Sequence, residues 1–374
     1  MVDMRSRWEE FKVGMKPRLQ EWGFMLRRMK QSSLAMVGVI IIAVFVAIAV
    51  LAPVLAPPPA DSRDPFMIPQ DKSLMLVRPV EPLPPTTNHI FGTIELQYDL
   101  YYGCIWGTIT AFRIGLIVVV VSLIIGLLIG TVAGFYGGVV DEVLMRFTDI
   151  IIAFPGLILA MAFTIAFPQA IVINLSTVLL VVFILASFAI IVFRPNKKLL
   201  LIIQLLLALS LFSMFYSPVL FGLSLSKLDK VMISIMIVGW PGYTRVIRGE
   251  VLRVKNEDYV EASRAAGSSD AGVIMKHIWP NTIYPILIVA TLDIGSVVLT
   301  AAALSFIGIG APQGFADWGQ IIQSCRNWLT TPAQIVTYYH TFLIPGLFIS
   351  FFVMGWNLLG DALRDVLDPT LRRR

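Results

Sequence analysis

Long apolar runs alternate with short polar connectors along most of the chain. A helix needs about 20 apolar residues, at a rise of about 1.5 Å each, to cross about 30 Å of hydrocarbon. Eight membrane-spanning helices are predicted from this pattern, at about residues 34–55, 112–135, 149–167, 170–193, 199–220, 230–244, 282–309 and 340–359. The pattern therefore predicts an all-α fold, a polytopic membrane bundle of helices.

The composition agrees with a chain whose solvent is the lipid bilayer. Of the 374 residues, 57% are hydrophobic and 14% are charged, whereas soluble domains have about 45–50% apolar and about 25% charged residues. The net charge of +5 could indicate nucleic-acid binding, but the basic residues lie between apolar runs and at the termini. Membrane topology explains that placement better, so we expect no nucleic-acid partner.

The basic residues also orient the predicted spans. Eight spans place both termini on one side, and 22 of the 29 Lys and Arg residues fall on that side. Because Lys and Arg accumulate in cytoplasmic loops, both termini are expected to be cytoplasmic.

The predicted spans divide the chain into five parts. The first part, residues 1–33, has apolar side chains at helical spacing and basic residues on the other faces, which is typical of a helix lying on a membrane surface. The third part, residues 56–111, contains a proline-rich stretch that cannot form a membrane helix. The parts are a cytoplasmic amphipathic segment (1–33), the first span (34–55), an extracytoplasmic segment (56–111), a transmembrane domain (112–361) and a cytoplasmic tail (362–374).

A polar loop at 245–281 interrupts the transmembrane domain, and from position 257 to 280 it reads EDYVEASRAAGSSDAGVIMKHIWP. Its alanines favour a helix, Gly267 can adopt the positive φ that closes it, and one of the next three residues can cap a second helix. Pro280 is expected to end that second helix at the membrane. An exposed helical hairpin with small side chains is suited to docking in a groove on another protein.

Two runs in this loop, EAS at 261–263 and IWP at 278–280, with Gly267 between them, closely resemble the EAA loop of ABC importer permeases. In that family the loop forms the coupling helix that fits a cleft on the ATP-binding subunit. Here Ser263 and Trp279 stand where Ala and Leu are more usual. The resemblance implies that the ATPase-coupling residues are Glu257, Tyr259, Glu261, Ala262, Ser263, Ala265, Ala266, Gly267, Asp270, Ile278 and Pro280.

Other motifs narrow the resemblance. They are GT at 92–93 with EL at 95–96 and Asp99, WPGY at 240–243, LSFIG at 304–308, GDALRD at 360–365 and LDP at 367–369. As an ordered set they resemble the dipeptide, oligopeptide and nickel permease family, and the tail and leading outer segment resemble its C-type subunit. Members usually have six spans, so residues 170–225 look like an inserted pair. That pair is either a lipid-facing hairpin or a functional addition.

The resemblance implies a permease subunit of an ATP-binding cassette importer in a prokaryotic inner membrane, forming half of a translocation pathway. The implied partners are a second, B-type permease subunit, two ATPase subunits and an extracytoplasmic substrate-binding protein. Family members import peptides, nickel or oligosaccharides, and no residue here selects among these. The alternative is a secondary transporter or channel without ATPase partners, which often has mid-membrane charges or broken helices.

The sequence shows no residue set for catalysis, cofactor binding or metal binding. The run GSSDAG at 267–272 has P-loop glycine spacing but continues with Val273 and Ile274, where Lys and Ser or Thr are needed. The three histidines lack the paired spacings of zinc sites. Cys104 and Cys325 either form a disulfide or remain unpaired. ATP and Mg²⁺ are therefore expected in partner subunits, and this chain is not expected to be an enzyme.

Two features inside the predicted spans leave two interpretations each. Asp293 lies deep in a span, where a charge is costly, so it either faces the translocation pathway or packs in a protonated or hydrogen-bonded form. Gly126, Gly130 and Gly134 leave one helix face without side chains. That face contacts either a second permease subunit or another helix of this chain.

Overall fold

The computed structural model of the chain describes residues 32–60, 62–77, 80–174 and 219–367. Most of the predicted surface helix at 1–33, most of the predicted insertion at 170–225 and the last residues of the predicted tail lie outside these ranges.

The described residues are mostly helical, with two small antiparallel β-ladders in which β1 pairs with β2 and β3 with β4. A π-helical turn (Ile274–Ile278) joins α8 to α9. The helices are α1 (Ser33–Leu55), α2 (Lys72–Val77), α3 (Leu100–Tyr136), α4 (Gly138–Ile152), α5 (Gly156–Ala166), α6 (Lys227–Val254), α7 (Asp258–Ala265), α8 (Asp270–Val273), α9 (Trp279–Phe306), α10 (Trp318–Ser324), α11 (Pro332–Thr337) and α12 (His340–Leu367). The strands are β1 (Thr93–Ile94), β2 (Tyr98–Asp99), β3 (Ala170–Asn174) and β4 (Val219–Ser224).

Four helical runs among the described residues are long and apolar enough to cross a membrane: α1, α3, the continuous run Asp270–Phe306, and α12. The pair α4 and α5 becomes a fifth span if its two arms, bent by 88°, are counted together. The predicted class, a polytopic helical membrane protein, is therefore confirmed. The predicted number of eight spans is not established by these residues.

The chain divides into two compact units, one formed by residues 1–124 and 254–374 and the other by residues 125–253. In the first unit, α12 packs against both α1 and α9. Phe45 of α1 meets the ring of Phe352 edge-on at a centroid distance of 5.3 Å. The ring of Trp318 also contacts that of Phe352, at a centroid distance of 5.7 Å. The indole Nε1 of Trp318 donates a hydrogen bond to the carbonyl oxygen of Cys104, at 3.1 Å. These aromatic contacts hold α1, α3, α10 and α12 together.

The segment between α1 and α3 has a folded core of its own, although it is rich in proline. His89 lies between two carboxylates, with Nδ1 2.6 Å from Asp99 and Nε2 3.2 Å from Asp71. Asp99 also accepts a hydrogen bond from the backbone N–H of Tyr102, at 2.8 Å, and thereby caps the start of α3. That helix consequently begins at Leu100, so the predicted boundary at residues 111 and 112 lies inside it.

In the second unit, the third predicted span is broken. Residues 138–148, which lie between the second and third predicted spans, are helical as part of α4, and the chain then turns sharply before α5. The turn ends at Pro155, the N-cap of α5. Proline removes a backbone donor and disfavours helical geometry at the preceding residue, which explains the break.

The described ends of the predicted insertion are strands instead of helix ends. Ala170 pairs with Ser224 and Asn174 with Val219 in an antiparallel ladder. β3 consists largely of β-branched residues, which favour extended structure once a partner strand is present. The prediction that a membrane helix begins at Ala170 is therefore wrong, and the rest of the insertion lies outside the described residues.

Two other predicted ends differ because helices continue past the last apolar residue. α6 was predicted at 230–244 but runs to Val254, ten residues into the predicted polar loop. α12 was predicted to end near residue 359 but continues to Leu367, so the predicted start of the tail lies within it. A helix can leave the hydrocarbon region and remain helical in water, because its backbone hydrogen bonds are internal.

Candidate functional site

The candidate coupling segment comprises residues 257–280, and a glycine turn closes its first helix. Gly267 has a φ of +83°, a conformation that costs L-residues with a side chain about 1–2 kcal/mol. Its N–H donates to the carbonyl of Arg264 at 2.9 Å, and the N–H of Ser268 donates to the carbonyl of Ser263 at 3.1 Å. This pair of bonds is the Schellman arrangement, which satisfies carbonyls left open at the end of α7.

The second helix of the coupling segment is capped by a serine. The hydroxyl of Ser269 accepts a hydrogen bond from the N–H of Gly272 at 3.3 Å, so it is the cap among the three residues that follow Gly267. The hydroxyl of Ser263 donates to that of Ser268 at 2.9 Å. Ser263 stands where ABC importer permeases more often have Ala, and its hydrogen bond joins the two sides of the turn.

Pro280 does not end the second helix, contrary to the sequence-based expectation. The helical run is continuous over Asp270–Phe306, and Pro280 lies in the first turn of α9. The preceding π-helical turn closes with the N–H of Trp279 donating to the carbonyl of Ile274. Pro280 has no backbone N–H, so it leaves one hydrogen bond of the helical ladder unmade directly after the π-helical turn, but the helix continues past it. The coupling segment is thus joined to the membrane-crossing part of α9 by uninterrupted helix.

The coupling segment has a buried side and an exposed side. Val260, Val273 and Ile278 have no exposed surface. Ser263 is half-buried, and the remaining residues predicted to couple to an ATPase are exposed: Glu257, Tyr259, Glu261, Ala262, Ala265, Ala266, Gly267, Asp270 and Pro280. Ile278 therefore anchors the segment instead of presenting a contact surface. Val260 and Val273 were not predicted from the sequence, although isolated apolar residues in a polar loop are a usable signal for anchors.

The face formed by the three glycines contacts α6 of the same chain. A Cβ atom added at Gly126 would lie 2.5 Å from Cβ of Tyr243, and one at Gly134 would lie 2.9 Å from Cβ of Val251. At Gly130 the nearest atom would be the carbonyl oxygen of Thr244, at 2.7 Å. Of the two interpretations left open by the sequence, the structure shows packing within the chain. At these three positions α6, which leads into the coupling segment, packs against α3 with no side chain of α3 between the two helices.

Two ion pairs join α6 to α4. The guanidinium of Arg248 donates from Nε and Nη2 to the two carboxylate oxygens of Asp141, both at 2.5 Å. One turn earlier, Nη2 of Arg245 donates to Asp149 at 2.6 Å. The hydrogen bond that Arg248 donates to Asp141 raises the pKa of Arg248. Neither ion pair was predicted from the sequence, because pairing across about a hundred positions leaves no local pattern.

The other polar residues considered from the sequence are dispersed. Asp293 is half-buried in α9. The rings of His277 and Tyr259 lie 6.2 Å apart in the coupling segment, whereas His340 is fully buried at the start of α12. Among the described residues, no group of three or more His, Cys, Asp or Glu side chains is placed to hold a metal ion.

The two cysteines are separate thiols. Cys104 and Cys325 are both buried and neither forms a disulfide. Burial raises the pKa of the Cys325 thiol to about 12, so that thiol stays protonated near neutral pH.

Comparison with known proteins connects this architecture to transport. Residues 126–373 match the family model of the binding-protein-dependent transport system inner membrane component, and residues 21–75 match the N-terminal TM domain of oligopeptide transport permease C.

Three curated relatives match over nearly their whole lengths. The oligopeptide transport system permease protein OppC of Bacillus subtilis is 30% identical, with 96% of this chain and 92% of the relative covered. The dipeptide transport system permease protein DppC of Alkalihalophilus pseudofirmus is 28% identical, with 94% and 90% covered. The glutathione transport system permease protein GsiD of Escherichia coli O6:K15:H31 is 27% identical, with 99% and 92% covered. The chain therefore belongs to the family of binding-protein-dependent inner membrane transport components, as a C-type permease subunit of an ATP-binding cassette importer.

Proposed function

We propose that this permease forms one half of a pathway that imports peptides, and that residues 257–280 couple it to the ATPase. The division of that segment into two sides carries the coupling proposal. Val260, Val273 and Ile278 are fully buried, whereas the side chains around Gly267 are small and exposed. A segment anchored by apolar residues and presenting small ones is suited to a groove on a partner protein.

The mechanism follows from the continuity of the helices. When the ATPases bind and hydrolyse ATP, their grooves would carry the coupling segment with them. The unbroken helical run Asp270–Phe306 would pass that displacement directly into a membrane-crossing helix. The permease would then exchange inward-open and outward-open shapes, as a two-state change biased by a ligand.

The proposed assembly contains this chain, a B-type permease subunit, two ATPase subunits and an extracytoplasmic substrate-binding protein. ATP and Mg²⁺ would bind in the ATPases. The inner membrane of a prokaryotic cell, with both termini cytoplasmic, is the proposed location. The distribution of Lys and Arg between the predicted sides supports that orientation.

Peptides are the proposed cargo because the relatives are named for dipeptide, oligopeptide and glutathione transport. Nickel and oligosaccharides are the alternatives from the wider family. We assign Asp293 to the pathway, since a half-buried carboxylate within a membrane-crossing helix tends to face a cavity or a partner. Asp293→Asn should reduce peptide uptake, and unchanged uptake at normal expression would remove Asp293 from the pathway.

Reconstituted transport tests the coupling proposal. The full complex would be purified with Glu261→Lys or Ala265→Trp in this chain, and bound ATPase and peptide uptake would be measured in vesicles. Both variants should insert normally, lose most of the bound ATPase and lose uptake, because each alters the exposed side of the segment. Ala333→Trp is the matched control, since Ala333 is also exposed but lies on α11.

Two results would contradict the proposal. One is normal ATPase binding by both coupling-segment variants. The other is peptide uptake by this chain in vesicles that contain no ATPase, which would support a secondary transporter or channel.

A further inference from the structure

We propose that Asp141 and Arg248 are positioning residues that pass the movement of the coupling segment to α3 and α4. The inference rests on the proposed coupling function and adds residues outside the coupling segment. The carboxylate belongs to α4 and the guanidinium to α6. The pair therefore links the helix that leads into the coupling segment to a helix from a distant part of the sequence.

The ion pair between Asp141 and Arg248 has a bidentate geometry. Both carboxylate oxygens accept from the same guanidinium at 2.5 Å, so the orientation as well as the distance between the side chains is fixed. Bidentate pairs between Arg and a carboxylate are stronger and more directional than single charge-assisted hydrogen bonds. The side chains are 34% and 16% exposed, which limits screening by solvent.

Arg248 also touches α3 through its backbone. A Cβ atom added at Gly134 would lie 3.0 Å from the carbonyl oxygen of Arg248 and 2.9 Å from Cβ of Val251. At one level of α6, the backbone thus packs against α3 while the guanidinium holds α4. These three helical segments belong to the same compact unit, residues 125–253. A displacement of α6 at this level must move all three together or break one of the contacts.

The ion pair lies near the end of α6 that leads into the coupling segment, which suits it to pass on a movement of that segment. Arg248 lies six residues before Val254, the last residue of α6, which corresponds to about 9 Å at the helical rise of 1.5 Å per residue. Only three residues separate the end of α6 from α7. The pair between Arg245 and Asp149 lies further from the coupling segment, and its side chains are 50% and 51% exposed. It should contribute less, because exposed ion pairs are weak.

A double-mutant cycle on the reconstituted complex tests the proposal. Asp141→Asn, Arg248→Gln and the double variant would be compared for bound ATPase, ATP hydrolysis with and without the binding protein, and peptide uptake. Each single variant should keep the ATPase bound, lose about tenfold in uptake and lose the stimulation of ATP hydrolysis by the binding protein. The double variant should be no worse than either single one, because both changes remove the same interaction.

Arg253→Gln is the matched control. It removes a pair of similar length, Arg253 with Glu250 at 2.7 Å, which lies entirely within α6 and joins no other helix. Uptake and stimulated hydrolysis should remain at the level of the unmodified complex. A loss equal to that of Arg248→Gln would overturn the proposal, since it would show that any charge change near the end of α6 has this effect.

Arg248→Lys covers the case in which Arg248→Gln fails to insert. Lysine keeps the charge but cannot form the bidentate contact, so uptake and stimulation should still fall. Full transport by Arg248→Lys, or additive losses in the double variant, would overturn the positioning role. Failure of the unmodified chain to retain an ATPase would instead overturn the coupling function itself.

Discussion

The hydroxyl of Ser263 donates a hydrogen bond to the hydroxyl of Ser268, at 2.9 Å, across the turn made by Gly267. The two serines are on opposite sides of the break between α7 and α8. Together with the two backbone bonds at the end of α7, this contact defines the shape of the exposed tip of the coupling segment. The backbone conformation of Gly267 is consequently a point at which the segment can be tested.

Gly267→Ala should impair transport through backbone strain alone. Its φ of +83° is unfavourable for alanine, while no atom lies within 4 Å of an added Cβ. Forcing that conformation costs about 1–2 kcal/mol, so the turn should open and peptide uptake should fall severalfold. Gly249→Ala is the control, because Gly249 lies inside α6 with no atom near an added Cβ and no positive φ. Equal uptake by the two variants would contradict this prediction.

Gly126→Ala should destabilise the contact between α3 and α6. The added methyl group would lie 2.5 Å from Cβ of Tyr243 and 3.0 Å from the backbone nitrogen of Thr244, so the helices must separate. Overpacking of this kind costs about 1–3 kcal/mol. Thermal unfolding in detergent would measure the loss. Gly242→Ala, on α6 with no atom within 4 Å of the added group, should leave the midpoint nearly unchanged.

His89 should make the stability of the segment between α1 and α3 depend on pH. Burial opposes protonation of His89, but hydrogen bonds to Asp99 and Asp71 outweigh it and raise the pKa above 6.5. A raised pKa means that the stabilisation is complete below 6.5 and is lost as the pH rises through the folded-state pKa. Thermal unfolding measured on both sides of that range should show the decline. In His89→Gln the decline should disappear, and an unchanged slope in that variant would contradict the assignment.

The ionisation of Asp317 should also make the stability of the protein depend on pH, and removing the charge of Asp317 should stabilise the protein. The carboxylate caps α10 by accepting from the N–H of Gln320, at 2.8 Å. Burial raises the pKa of Asp317 to about 6, although hydrogen bonds from Gln320, Ser305 and Gly319 oppose the shift. The stability linked to the protonated carboxyl group of Asp317 is therefore complete below pH 3.8, and it is lost as the pH rises through about 6.

Two substitutions separate the charge of Asp317 from its capping role. Asp317→Asn keeps the capping oxygen and removes the charge, so it should raise the unfolding midpoint at pH 7. Asp317→Ala removes the cap as well and should cost about 1 kcal/mol. A lower midpoint for Asp317→Asn than for Asp317→Ala would contradict this account.

The sequence by itself determined the membrane class, the apolar helices that correspond to α1, α3, α9 and α12, and the family. The first span was predicted at 34–55 and observed at Ser33–Leu55, because twenty or more apolar residues have no other stable solvent than the bilayer. The coupling segment was also visible, since alanines, a glycine and capping serines act locally on the backbone.

Only the tertiary structure decided which surfaces meet. The bare glycine face had two candidate partners, and the close approach of Tyr243 and Val251 assigned it to α6. The ion pair between Asp141 and Arg248 joins residues about a hundred positions apart and was likewise out of reach of local patterns. Such features depend on packing between residues far apart in the chain. A contact of that kind is selected by the free energy of the whole fold, and it leaves no periodicity or spacing in the sequence around either residue.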